Sequence, residues 1–125
     1  MTNTPKRVVA VLNDLMFTVK IQEAAKRTGL DVVFVKSRQD ALTQATERPA
    51  LIILDLNYTA GEPLGTIEEI KGNPATRQVS LLGYVSHVHA DLRKAAQERG
   101  CDVVVPRSVF SQKLPEFLER YAGAN

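Results

Sequence analysis

Asp55 closes the apolar run of LIILDLN (residues 51–57), and Asn13 and Asp14 close that of RVVAVLND (residues 7–14). A buried unpaired charge is expensive, so a carboxylate ending such a run must reach water or meet a cation. Two carboxylates sharing a pocket repel, and one is driven toward protonation unless a cation joins them. A hard divalent ion relieves this. Mg²⁺ takes one or two carboxylates, a carbonyl and several waters, so Asp14, Asp55 and the backbone carbonyl of Asn57 form a candidate site for it. Asp14 has a second reading, as the cap of a helix beginning just after it, whose N-terminus attracts a carboxylate. A third apolar run, VSLLGYV, delivers Ser86 and His87.

Other chemistries find less support. His87 and His89 form HVH, two imidazoles with no third ligand at metal spacing; His87, beside Ser86, could instead gate the crevice or titrate near neutral pH. The single cysteine, Cys101, excludes a disulfide framework and reads as a small buried side chain. No Cys/His/Asp arrangement suggests nucleophilic catalysis, so no catalytic residue is assigned and the chain is not read as an enzyme. There is no GxGxxG or Walker A pattern, and the loop TAGEPLG lacks the Lys-Ser/Thr of a phosphate cradle.

These residues need elements to position them. The 125 residues suit one domain, 1–125, with a core over about residues 6–121; 44% are hydrophobic and 24% charged, an ordinary globular composition. Net charge is +2 with mixed signs, which is no nucleic-acid footprint. No apolar run is long enough to span a bilayer and no signal-peptide pattern is present, so a cytoplasmic protein is expected.

Short β-branched runs alternate with helix-period segments. Strands are predicted over 7–12, 31–35, 50–55, 79–85 and 102–105. The intervening helices are expected to bury Phe17, Ile21, Ala24 and Ala25; Ala41, Leu42 and Ala45; and Leu64, Ile67 and Ile70. Ser37 is a plausible N-cap, Gly29 and Gly100 are stops, and Ser111 is expected to cap a last helix containing Leu114, Phe117, Leu118 and Tyr121, with Pro115 near its first turn. Five strands alternating with five helices imply an α/β, doubly wound parallel sheet. In such sheets ligands bind beyond the carboxyl ends of the strands, where Asp55 sits.

The element order, ND after the first strand, LDLN at the third, and IKGNPATRQVSLLGYVS together resemble the receiver domain of two-component response regulators, over about Lys6 to Tyr121. The resemblance implies a CheY-like, flavodoxin-type fold with strand order 2-1-3-4-5. It makes Asp55 the acceptor of a phosphoryl group from a histidine kinase or phosphotransfer protein. Asn13 and Asp14 then fall where an acidic pair holds Mg²⁺, Ser86 where a hydroxyl contacts the phosphoryl group, and Arg107 where a Lys does so. The departures are specific. Asn13 replaces a carboxylate and weakens the metal site, and a planar guanidinium is not a compact ammonium. Deleting two residues would align Val105-Pro106 with the family's Lys-Pro and leave no cation. Val104 stands where many receivers carry an aromatic switch.

Two readings follow for signalling. One is a stand-alone atypical receiver phosphorylated on Asp55 and acting through protein contacts; the other is a pseudo-receiver serving as an interaction or homodimerisation module without phosphorylation. A small flavodoxin-like ligand-binding domain is a third.

Overall fold

A computed structural model of the chain describes residues 6–86 and 89–123. Five strands, β1 (Arg7–Val11), β2 (Asp31–Val35), β3 (Leu51–Asp55), β4 (Leu81–Val85) and β5 (Val103–Pro106), form one parallel sheet in the order 2-1-3-4-5. The helices are α1 (Leu15–Arg27), α2 (Arg38–Ala45), α3 (Pro63–Gly72), α4 (Ala90–Glu98), α5 (Arg107–Gln112) and α6 (Leu114–Tyr121), with a 3₁₀ turn at Thr59–Gly61. Among the described residues no helix is long and apolar enough to cross a membrane.

Strand alternation divides the core. Val8, Ala10, Leu51, Ile53, Leu82 and Tyr84 pack with Phe17, Ile21, Phe110 and Leu118 on one face. Val9, Val11, Ile52, Leu54, Val85 and Val104 pack with Ala41, Ala45, Ile67, Ile70 and Ala96 on the other. So α1, α5 and α6 cover one side and α2, α3 and α4 the other. Every residue of β3 is buried, as a strand covered on both faces requires.

Local chemistry sets the element ends. The Asp14 carboxylate accepts from the Met16 and Phe17 N–H groups and so caps α1. Ser37 caps α2, accepting from Asp40 N–H at 3.1 Å. Gly29 and Gly100 follow α1 and α4 with φ of +74° and +107°, values that side chains with a Cβ rarely adopt. The stretch IKGNPATRQVS also gains a physical reason. The Lys71 ammonium donates to the Arg77 and Val79 carbonyls, each at 2.9 Å, and lies 2.8 Å from the Asp102 carboxylate. That carboxylate accepts from Leu81 N–H at 2.8 Å, so one side chain ties the end of α3 to the starts of β4 and β5.

The expectation for the last helix needs correcting. The chain leaves β5 directly into α5, a sixth helix whose Phe110 is fully buried. Ser111 lies inside α5 rather than at a cap, and its hydroxyl accepts from Lys20 Nζ at 2.7 Å. Lys113 precedes α6, and Pro115 falls in its first turn as expected.

Candidate functional site

Parallel strands put all their carboxyl ends at one edge, and β1, β3, β4 and β5 are neighbours there. Asp14, Asp55, Asn57, Ser86 and Arg107 each follow or end one of those strands. The fold therefore brings the sequence-predicted residues to one edge of the sheet, whatever their separation in the chain.

Asp55 is the last residue of β3 and only 9% exposed. One carboxylate oxygen accepts from Asn57 N–H at 3.0 Å. Burial pushes its pKa above the ordinary value, against the Asn57 N–H and the Arg107 charge, which favour the anion; the Asp14 charge adds to the upward push. The Asn57 side chain links two further elements. Its oxygen accepts from Ser86 N–H at 2.8 Å, which fixes the amide orientation, and its nitrogen lies 2.9 Å from His89 Nδ1. The amide must be the donor there, so His89 Nδ1 is the acceptor.

Arg107 forms an ion pair with the second Asp14 oxygen and lies over the Phe17 ring, 4.6 Å from its centroid. Its guanidinium is thus held by a carboxylate and an aromatic face, a geometry an ammonium would not reproduce. Ser86 is half-buried and, with Met16, Phe17, Arg107, Ser108 and Ser111, lines a cavity of about 350 Å³. Asn13 is exposed. His87 lies outside the described residues. Val104 faces the core opposite to Asp55. Cys101 is buried and its thiol is pushed up to about 11 by that burial, in keeping with an inert packing role.

One site residue gives no signal in the sequence. Tyr84 pairs in register with Asp55 and points to the same face of the sheet. It is 1% exposed and packs against both Phe17 (5.1 Å between centroids) and Phe110 (4.6 Å), which lie 6.0 Å from each other. Its hydroxyl has no hydrogen-bond partner of normal geometry among the described residues, although it lies near enough to Asp55 to favour the carboxylate; burial, and then the Asp55 charge, push the phenol pKa far up. A tyrosine inside an apolar run reads like any core aromatic; only the strand register reveals its neighbour.

As arranged, Arg107 occupies the Asp14 oxygen that a divalent ion would take. Both Asp14 oxygens are engaged, one by two backbone N–H groups and the other by Arg107. Among the described residues no three His, Cys, Asp or Glu side chains gather as a metal cluster, although Mg²⁺ needs only one or two carboxylates beside a carbonyl and waters. A metal at Asp14 would have to displace a guanidinium already in place.

No family model matches the sequence, and no curated protein does. Solved structures do. The chain superposes on the phosphorylated cyanobacterial phytochrome response regulator RcpA with a TM-score of 0.84 at 19% identity, covering 98% of this chain and 97% of that one. The protein has the response-regulator receiver fold. A receiver domain of a sensor histidine kinase from Pseudomonas aeruginosa, with magnesium in its cleft, gives 0.81 at 16% identity over 96% and 99% of the two chains. A chemotaxis response regulator of Vibrio cholerae gives 0.80 at 16% identity over 94% and 99%. Within this receiver fold the cleft carries one guanidinium against two carboxylates, and that pairing is what its chemistry must start from.

Proposed function

We propose that this chain is a two-component-type signalling module whose cleft is closed by an internal ion pair, and that it works through protein contacts without phosphorylation. The Arg107–Asp14 pair carries this reading. A charge-assisted pair between a guanidinium and a carboxylate that also caps a helix is favourable, here screened in part because the two side chains are 40% and 27% exposed. It supplies the positive charge that two neighbouring carboxylates need; the Pseudomonas receiver domain carries magnesium in its own cleft. The neutral Asn13 lowers the metal's attraction further. The test is exposure to acetyl phosphate or beryllofluoride with Mg²⁺, followed by amide NMR. Spectra unchanged around Asp55 at millimolar reagent are expected, and Asp55→Asn should leave partner binding intact. A shift centred on Asp55, or loss of partner binding in the variant, overturns this reading.

A second reading has its own observation. Asp55, Ser86 and Arg107 sit at one strand edge, as an acceptor and two phosphoryl contacts do, and RcpA was solved phosphorylated. Here Arg107 leaves Asp14 for the modified Asp55, and the donor is a histidine kinase or phosphotransfer protein. The same spectra separate the two readings.

A further inference from the structure

We propose that the Tyr84 hydroxyl is a positioning contact for the acidic group at Asp55, and that the Tyr84 ring carries the state of the cleft to α5 and α6. The proposal rests on the reading of the cleft as a signalling site and names how that site is read. Three observations support it. Tyr84 is opposite Asp55 in the β3–β4 register and on the same face. Its hydroxyl is buried with no hydrogen-bond partner of normal geometry among the described residues, where a phenylalanine would fill the space and leave no orphaned polar group. Its ring is one member of a continuous stack.

That stack runs from the cleft to the far end of the last helix. Phe17, Tyr84 and Phe110 form a cluster, with Tyr84 5.1 Å from Phe17 and 4.6 Å from Phe110 (planes 8° apart) and Phe17 6.0 Å from Phe110; Phe110 then meets Phe117 at 6.3 Å, and Phe117 meets Tyr121 at 6.0 Å. Arg107, held by Asp14, caps the same stack over Phe17. Both carboxylates of the cleft thus neighbour one group of rings: Asp55 beside Tyr84 in the strand register, and Asp14 through the guanidinium over Phe17. Close packing moves such neighbours together rather than independently. The aromatic side chain that couples site to surface is then on β4, facing α1 and α5, while Val104 of β5 faces the opposite core and has no ring to move.

A double-mutant cycle on the full chain tests this, free of metal, phosphodonor or partner, so its outcome is independent of whether Asp55 is ever phosphorylated. With phenylalanine rings isotopically labelled, Asp55→Asn should shift the ring signals of Phe110 and Phe117. In a Tyr84→Phe background the same substitution should shift them severalfold less. Equal shifts in both backgrounds, or none in either, overturn the proposal. Tyr84→Phe keeps the ring and deletes only the hydroxyl, so a cooperative unfolding transition in this variant shows that the shifts are compared on folded protein.

Discussion

At Asp14 one carboxylate serves two partners: one oxygen caps α1 through Met16 and Phe17, and the other holds Arg107. These roles separate by substitution. Asp14→Asn keeps an oxygen for the cap and loses the charge; Asp14→Ala loses both. Urea unfolding should show the alanine variant weaker by about 1–3 kcal/mol and the asparagine variant by clearly less. Asp55 behaves in the opposite way. Its pKa is raised chiefly by burial, so the native state holds a proton more readily than the unfolded chain. Stability from that protonated form is fully present below the unfolded value and is lost as pH rises through the folded one. Asp55→Asn is therefore expected to be more stable than the parent at neutral pH, with the gap closing on acidification through the folded-state value. Paired denaturation curves across that range check it. The sequence shows Asp14, Asp55, Asn57 and Ser86 plainly, because each ends an apolar run. It cannot show that Arg107 turns to Asp14, which depends on where the chain re-enters the cleft after β5.

The elements hold these groups by close fits. Gly83 of β4 is one: a Cβ there would lie 2.9 Å from Leu56 Cδ1, in a buried layer. Gly83→Ala should cost about 1–3 kcal/mol through overpacking, read as a fall in denaturant midpoint. Lys71 is another, with two carbonyls and the Asp102 carboxylate around one ammonium whose side chain is only 17% exposed. Lys71→Met leaves those acceptors unpaired and should cost a similar amount, about 1–3 kcal/mol. Periodicity predicts the strands and the first three helices because their buried residues recur at strand or helix spacing, whereas α4 buries only Ala96. The stretch after β5 misleads. Arg107–Gln112 has six residues and one fully buried aromatic, Phe110, too short for a helical period to register, and so Ser111 looks like a cap.

Across the whole molecule the sheet delivers four strand ends to one edge, and the aromatic stack leads from that edge toward α6. The strand order 2-1-3-4-5 was legible through the family resemblance, since alternating elements alone imply only a doubly wound parallel sheet. Leu15, Met16 and Val19, at 79%, 60% and 46% exposure, lie together on the first turns of α1 beside the cleft, the place where a protein partner would gain most from burying apolar surface. What the cleft does chemically turns on whether its positive charge is the guanidinium or a metal. Titration with Mn²⁺, read as paramagnetic broadening of amide signals, decides it most directly. The parent protein should show no selective broadening at Asp14, Asp55 and Asn57 at millimolar ion, while Arg107→Ala should show it. Selective broadening of those three amides in the parent at micromolar Mn²⁺ would contradict the account.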